Sequence, residues 1–292
     1  MRRLYLPLLL LIASAAVAQQ DFSKVEVKAT KVAGSVWVLV GSGGNIGVSV
    51  GDDGIVMIDD QYAPLAPKIE AALKTITNKP VRFILNTHYH GDHTGGNEHF
   101  GKTAPIVAHE NVRKRLASGS ARRGTTIPPS PAGALPVLTF NDHVTIHLNG
   151  EDVRAVHMPH GHTDGDAVVW FTKSNVVHMG DDFFNGFFPF VDRENGGSVR
   201  GLIANLDKVL ATIPDDAKVI PGHGPLSDKN GLRAFAAVLK ATSAAVEQGL
   251  AAGKSLEQLK AEKALAPWES WGTGFIKTDD WMKTLYDELT AR

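Results

Sequence analysis

A run of ten residues, Thr87–Gly96 (THYHGDHTGG), carries the strongest chemical signal in this sequence. Three of the chain's 12 histidines, His88, His90 and His93, are crowded there together with Asp92. On an extended segment His88 and His90 face the same side, because they are two residues apart. Imidazole and carboxylate groups bind zinc or iron, and four of them within one loop can serve two metal ions. The stretch therefore predicts a metal site.

Four ligands do not complete a two-metal site, and three later segments offer more. His160 and His162 lie in HGHTDGD, Asp181 follows His178 in HMGDDFF, and His223 lies in IPGHGPL. Each segment contains glycine and lies beside a short apolar stretch that is typical of a strand. Loops at strand ends present side chains from a rigid scaffold. The repetition predicts a site assembled along one edge of the fold.

The elements that must position these residues can also be predicted from the pattern. Apolar alternation over residues 24–60 indicates successive strands, with a hairpin turn at Asp53-Gly54. A helical period over residues 64–78 is followed by an alternating strand at residues 81–85. That strand leads directly into the first histidines.

The middle of the chain contains a second such unit and then a long irregular stretch. We expect a helix from Gly96, a short strand at Ile106-Val107 and a charged helix near Asn111–Ser118. Residues 119–137 are rich in proline, glycine and serine, which predicts a long surface loop.

Strands return from Val144 to Met179, and a helix follows at Leu202–Ile213. A further strand covers Lys218–Ile220, and the chain is mostly helical in pattern from Asp228. Strands and helices therefore alternate in two halves, each pairing a sheet with outer helices. The predicted class is α+β, as a four-layer αββα sandwich.

The four motifs, taken in their order along the chain, resemble those of the metallo-β-lactamase-fold superfamily of hydrolases. THYHGDHTGG, GHTDGD, MGDDFF and PGHG all lie between about Asn45 and Pro225, which is most of the chain. The resemblance implies a sandwich of the metallo-β-lactamase type with two zinc ions per chain. It implies that one ion is bound by His88, His90 and His162, and the other by Asp92, His93 and His223. Asp181 is then the aspartate that bridges the two ions.

Other polar residues near the motifs have weaker assignments. His160 and His178 compete with His162 and Asp181 for ligand positions, and the resemblance favours the latter two. Asp59 matches an acidic position beside the ligands of that family, or it ends a strand. The remaining histidines are expected to be structural, without converging partners: His99, His109, His143, His147 and His157.

The implied activity is hydrolysis of a small molecule. Two zinc ions lower the pKa of a shared water to about 7, so a bridging hydroxide can attack the carbonyl of a β-lactam, lactone or ester. Asp92 is the expected catalytic residue, which orients the nucleophile and shuttles a proton. β-Lactam hydrolysis is then the main activity or a side activity.

One departure from dedicated β-lactamases leaves the substrate open. Those enzymes generally carry cysteine or another non-bridging residue where this chain has Asp181, whereas a bridging aspartate resembles glyoxalase II-like thioesterases and lactonases. A thioesterase or lactonase without useful β-lactamase activity is therefore the alternative. The chain has no cysteine, so any metal site must use nitrogen and oxygen ligands.

Two segments are expected to decide which substrate binds. Five phenylalanines follow Asp181 within residues 181–197, and Phe184 and Phe188 are the candidates for an apolar substrate wall. The 119–137 loop offers Arg122 and Arg123 to an anionic substrate.

The amino terminus predicts the cellular address. Residues 1–18 have two arginines, an apolar run and an A-x-A site, which is typical of a cleaved secretory signal peptide. The mature catalytic domain would cover residues 19–292, be periplasmic or secreted, and keep no membrane anchor. Cleavage removes Arg2 and Arg3 but no acid, so the formal net charge goes from −1 to −3. A slightly negative net charge argues against a nucleic-acid partner. The sequence does not predict the oligomeric state.

Two other classes of protein are alternatives to a hydrolase. The same fold hosts iron-dependent oxidoreductases, although His90 stands where the di-iron members carry glutamate, and imidazole favours zinc. A non-catalytic zinc-binding protein is the other alternative. Structural zinc sites are usually closed and four-coordinate, whereas seven ligands for two ions leave room for water.

Overall fold

The computed structural model of the protein describes residues 21–291. The predicted signal peptide at residues 1–18 lies outside these residues. No helix in the described part of the chain is both long enough and apolar enough to cross a membrane.

Two mixed sheets and a separate hairpin contain the strands of the described chain. In the first half these are β1 (Lys28–Ala33), β2 (Val36–Val40), β3 (Ile46–Gly51), β4 (Gly54–Ile58), β5 (Val81–Leu85), β6 (Ile106–His109), β7 (Ser120–Arg122), β8 (Thr125–Ile127) and β9 (Leu138–Phe140). In the second half they are β10 (His143–Leu148), β11 (Glu151–His157), β12 (Ala167–Phe171), β13 (Val176–His178), β14 (Lys218–Ile220) and β15 (Ser227–Asp228). The sheet orders are β1-β2-β3-β4-β5-β6-β9 and β10-β11-β12-β13-β14-β15.

The two sheets pack face to face over an apolar core. Val56 and Ile58 of β4 point into that core, whereas Ile55 and Met57 point to the opposite face. Successive side chains of a strand alternate between faces. Because both faces of β4 are covered, its sequence GIVMI reads as a continuous apolar run.

Helices pack around both sheets. They are α1 (Ala66–Lys74), α2 (Gly91–Thr94), α3 (Asn97–Phe100), α4 (Glu110–Ser118), α5 (Val199–Thr212), α6 (Lys229–Ala251), α7 (Leu256–Ala261) and α8 (Thr278–Thr290). Short 3₁₀ helices lie at Ala63–Leu65, Ala132–Ala134, Gly180–Asp182, Arg193–Asn195 and Ala266–Thr273.

The outer layers pack as the predicted sandwich requires. Ile69 and Leu73 of α1 join the cluster on the outer face of the first sheet. Leu206 of α5, Leu239 of α6 and Trp281 of α8 join the cluster on the outer face of the second sheet. The layers therefore follow the order helix, sheet, sheet, helix, and the predicted α+β sandwich is confirmed.

Two local predictions need correction. Asp92 and His93 lie on the one-turn helix α2, not in an open loop. Residues 119–137 are not a plain loop either, because β7 and β8 form a hairpin there. Its two turn residues, Arg123 and Gly124, have φ of +51° and +75°, and positive φ at both central residues is the geometry of a type I′ turn. The Arg-Gly pair lacks the usual asparagine or aspartate signal.

Candidate metal centre

All seven predicted ligands meet at one edge of the sandwich, where several strands end. His88 and His90 follow β5, and His162 lies in the loop between β11 and β12. Asp181 lies on the 3₁₀ turn after β13, and His223 follows β14. Their ligand atoms form two groups, within each of which all atoms lie within 4.8 Å of one another: His88, His90, His162 and Asp181; and Asp92, His93 and His223.

The first group joins three buried imidazoles. His90 Nδ1 lies 3.1 Å from His88 Nε2 and 2.8 Å from His162 Nε2. The three side chains are at most 3% exposed. Nitrogen atoms this close need a proton or a cation between them, because each neutral imidazole has only one donor.

The second group is more open to the cavity beside it. His223 Nε2 lies 3.3 Å from both His93 Nε2 and Asp92 Oδ2. The side chains of His223 and Asp92 are 23% and 21% exposed, whereas that of His93 is fully buried. Solvent or a substrate can therefore reach this group from one side.

Asp181 connects the two groups through its two carboxylate oxygens. Its Oδ2 lies 3.4 Å from His162 Nε2 and 3.8 Å from His88 Nε2. Its Oδ1 lies 3.1 Å from His93 Nε2 and 3.4 Å from His223 Nε2. One carboxylate thus faces both groups, as a bridging ligand must.

Two further groups, the Asp59 carboxylate and the backbone carbonyl of Phe190, contact the second ring nitrogen of a candidate ligand. Asp59 Oδ2 accepts at 2.7 Å from His93 Nδ1, and its Oδ1 accepts from the Thr87 amide at 2.7 Å. The carbonyl oxygen of Phe190 lies 2.7 Å from His162 Nδ1. Such contacts fix which ring nitrogen faces a metal and raise its basicity. Asp59 therefore supports a candidate ligand, as the resemblance implied.

Asp192 performs the same role for His90, and sequence reasoning missed it. Its Oδ2 lies 2.8 Å from His90 Nε2 and also accepts from the Tyr89 hydroxyl. Asn195 donates to the same carboxylate. Asp192 lies in a stretch, PFVDREN, that drew attention only for its phenylalanines. An acidic residue shortly after the predicted bridging aspartate was the available signal.

Burial and neighbouring charges set opposite proton affinities in the two groups. Burial lowers the pKa of His88 and His90, and it lowers that of His162 to about 4. In the second group burial also acts to lower the pKa of His223, but the Asp181 and Asp92 carboxylates together outweigh it and raise the value to about 9. Neutral imidazole is the form that binds metal, and the carboxylates attract positive charge.

The chemistry of the donors fits divalent cations. Asp181 Oδ1 is buried and has no hydrogen-bond partner among residues 21–291, although His93 Nε2 is 3.1 Å away, because the angles are unsuitable. An unpaired buried carboxylate oxygen is costly unless a cation or donor satisfies it. Imidazole and carboxylate donors of this number suit zinc.

Two glycines allow the loops to approach the ligands. A Cβ atom on Gly44 would lie 2.1 Å from Cε1 of His93, and one on Gly222 would lie 2.1 Å from Oδ1 of Asp181. Both distances are far below van der Waals contact, so neither position accommodates a side chain without moving a candidate ligand.

A cavity of about 720 Å³ opens onto the second group. Phe184 lines it, as predicted, and stacks on His223 with 5.1 Å between ring centroids. Phe188 does not line it. Its ring is 1% exposed and stacks on Trp281 in the core, because the chain turns it toward the outer helices. Phe187 and Phe190 line the cavity instead.

The remaining histidines lie outside both groups. His178 contacts the Asn45 carbonyl, and His160 contacts that of Gly196. The prediction that the other histidines lack converging partners is wrong for four of them. His99 and His147 lie 2.8 and 2.7 Å from carboxylate oxygens of Glu70 and Asp152, and the rings of His109 and His157 stack with centroids 3.8 Å apart. β6 and β11 end side by side here, a proximity across the two halves that local pattern does not reveal.

Comparison with known proteins gives a consistent picture. The profile described as "Metallo-beta-lactamase superfamily" matches residues 32–223. A hydroxyacylglutathione hydrolase of Polaromonas sp. is 29% identical over 58% of this chain, which spans only 58% of that relative's length. The metallo-beta-lactamase type 2 of Bacteroides fragilis is 25% identical over 60% of this chain and 70% of its own length. The structure of a metallo-beta-lactamase from Pontibacter korlensis has a TM-score of 0.60 at 19% identity, over 74% of this chain and 99% of that one.

Proposed function

Because the chain belongs to the metallo-beta-lactamase superfamily, we propose that it is an exported hydrolase dependent on two zinc ions. Its substrates are small carbonyl compounds: a β-lactam amide, a lactone or an ester. In this proposal the signal peptide at residues 1–18 is removed, and residues 19–292 form one catalytic domain in the periplasm or outside the cell.

The position of Asp181 is the observation that carries the two-metal proposal. Its two oxygens face two separate sets of donors at 3.1 to 3.8 Å. A site for one ion would need only one set. Both sets consist of histidine and aspartate, which are zinc ligands, and neither set contains the cysteines that are common in closed structural sites.

Bound divalent ions would supply Lewis acidity and a water whose pKa is lowered to about 7. The chain's own residues prepare that chemistry. Burial acts to raise the pKa of Asp92, but His93 and His223 outweigh it and hold the value below the usual range. Asp92 is therefore a carboxylate at neutral pH. It lines the cavity, where it can orient a water molecule and accept a proton.

The relatives support a carbonyl substrate without choosing among the classes. One is named for hydrolysis of hydroxyacylglutathione and another for β-lactams. Both kinds of substrate place a leaving group on a carbonyl carbon. A bridging aspartate resembles glyoxalase II-like thioesterases and lactonases more than dedicated β-lactamases, so a thioesterase or lactonase without useful β-lactamase activity is the alternative that the rate measurements must test.

The test is the hydrolysis rate of the zinc-loaded mature protein on a chromogenic β-lactam, a lactone and an aryl ester. We expect kcat/KM of about 10⁴ M⁻¹s⁻¹ or more for the preferred class. A chelator should abolish the activity and added zinc should restore it. Iron in the purified protein, with visible colour, would contradict the hydrolase proposal and favour an oxidoreductase.

A pair of variants separates catalysis from metal binding. Asp92→Asn should keep the zinc of the first group but lose turnover, because the amide cannot accept a proton. Asp215→Asn, at a side chain 94% exposed, should match the unmodified protein. Full zinc occupancy with no turnover on any substrate would instead support a non-catalytic zinc-binding protein.

A further inference from the structure

Arg122 presents an unpaired positive charge to the cavity beside the metal centre. It lies at the end of β7 and lines the cavity together with His90 and Asp92. Its side chain is half-buried. Among residues 21–291 it forms no ion pair and no side-chain hydrogen bond. Guanidinium groups are almost never fully buried without a partner, and they bind carboxylate and phosphate groups through charge-assisted hydrogen bonds.

The neighbouring Arg123 differs in this respect. Its guanidinium carbon lies 5.8 Å from the ring centroid of Phe190 and 5.4 Å from that of Phe275. These distances are within the range of cation–π contacts. Arg123 therefore packs on the aromatic rings at the cavity mouth, whereas the charge of Arg122 has no such contact.

The wall near the two arginines is aromatic. Phe190 and Phe275 make an edge contact with centroids 6.3 Å apart, and Phe187 lies 5.9 Å from Phe184 in a similar arrangement. All four rings line the cavity. Phe275 is 69% exposed, which is unusual for so large an apolar ring. A substrate that brings an apolar group would cover it.

Tyr62 lines the same cavity as Arg122. Burial raises the pKa of Tyr62 to about 12, and the nearby Asp92 adds to the rise, while Arg122 acts in the opposite sense. The charge of Arg122 therefore acts on another group that lines the same cavity.

We propose that the substrate carries an anionic group and an aromatic-sized apolar group beside its reacting carbonyl, and that Arg122 binds the anion. This inference rests on the proposed function, since it assigns the substrate class of the same site. Phe190 and Phe275 would hold the apolar group, and Arg123 would keep their rings in place.

The kinetic test uses esters that share one leaving group. The matched pair is 4-nitrophenyl 3-(3-carboxyphenyl)propanoate and its neutral 3-carbamoyl counterpart, which have nearly the same shape. A charge-assisted hydrogen bond should favour the carboxylate by roughly 10-fold or more in kcat/KM. In Arg122→Gln the ratio of kcat/KM between the carboxylate ester and the carbamoyl ester should fall to about one.

Two further variants control for charge and folding. Arg122→Lys keeps the positive charge and should retain part of the preference, although it loses the bidentate geometry of arginine. Arg154→Gln removes an exposed arginine of β11 that does not line the cavity, and its preference should equal that of the unmodified protein. Phe275→Ala should lower kcat/KM for both aryl esters by about 3- to 10-fold.

A binding measurement gives a readout that does not depend on turnover. Calorimetric titration of the zinc-loaded protein would compare 3-phenylpropane-1-sulfonate with the neutral 3-phenylpropan-1-ol. Sulfonate is a poor zinc ligand, so its affinity reports mainly on the arginine. Arg122→Gln should weaken sulfonate binding by roughly 10-fold and leave alcohol binding unchanged.

The outcomes separate this inference from the proposed function. Zinc-dependent hydrolysis of both esters with the same ratio in Arg122→Gln would overturn the role of Arg122 and leave the hydrolase intact. If no substrate is hydrolysed, the proposed function fails, and the titration still decides the anion site. Equal sulfonate affinity of the unmodified protein and of Arg122→Gln would overturn the proposed anion site.

Discussion

Gly44 offers a sharp test of the metal centre, because a single methyl group there must displace a candidate ligand. A Cβ atom at this position would lie 2.1 Å from Cε1 and 2.5 Å from Nε2 of His93. Ordinary contact begins at 3.4 Å, so the ring must move by about 1.3 Å. It cannot swing aside freely, since Asp59 holds its other nitrogen at 2.7 Å.

The expected effect of Gly44→Ala follows from the tolerance of metal sites. Protein ligands to metals keep their distances within about 0.2 Å, so a displaced His93 would no longer bind in the second group. We expect zinc affinity in that group to fall by about 10- to 100-fold, as it does when a supporting contact is lost. A misplacement of about 1 Å should lower kcat/KM by roughly 10²-fold.

The assay combines zinc content after dialysis in a zinc buffer with the hydrolysis rate on the preferred substrate. Gly91→Ala is the matched control, because no atom lies within 4 Å of a Cβ there. It should keep both zinc ions and full activity despite its position between His90 and Asp92. A Gly44→Ala protein with the zinc content and rate of the control would refute the placement of His93 in the site.

Three further predictions concern residues around the site and core. Asp192→Asn should weaken zinc binding by about 10-fold, because the amide supports His90 less strongly than the carboxylate does; competition with a chromophoric chelator measures this. Phe188→Ala should lower the free energy of unfolding by about 3–5 kcal/mol in urea titrations, because a buried ring on Trp281 is lost, and a change in KM alone would contradict its core position. Burial lowers the pKa of His109 to about 4, so the unfolded chain binds the extra proton between about pH 6.5 and pH 4 and stability falls on acidification through that window. After allowance for its partial solvation, His109→Asn should remove about 1 kcal/mol of this loss, measured as the unfolding free energy at pH 7 and pH 4.5.

The segments that carry the candidate ligands could be predicted from local order, whereas the choice of His162 over His160 and of Asp181 over His178 came from the family resemblance. His88 and His90 follow a strand whose alternation is visible, and Asp181 and His223 follow short apolar strands with glycine beyond them. Strand ends in a layered fold meet at one edge, so the motifs could be joined without coordinates. The bounds of individual elements were less certain: the helical period at residues 64–78 became a 3₁₀ turn and α1.

The residues that sequence reasoning missed act across long separations. Asp192 contacts His90, which is 102 residues away in the chain. Phe275 reaches the cavity from beyond the last predicted ligand, on the segment before α8. The composition and the spacing of apolar residues indicate which segments are buried, but they do not show which of two neighbouring phenylalanines faces the core. Phe188 and Phe187 illustrate that difference.

Two kinds of structural element contribute the metal ligands and the proposed substrate contacts. The candidate metal ligands lie at the ends of sheet strands, where the sandwich core fixes the backbone. Arg122 and Phe275 lie on a two-stranded hairpin and on a segment between helices, which make no part of either sheet. Changes in these two segments can therefore alter substrate preference without moving a ligand. It follows that Arg122→Gln should change the ratio of rates between the carboxylate and carbamoyl esters, and that Phe275→Ala should lower both rates, while the zinc content of each variant stays that of the unmodified protein. A loss of zinc in either variant would mean that the hairpin or the segment before α8 helps to hold the metal centre, and the division between the two kinds of element would fail.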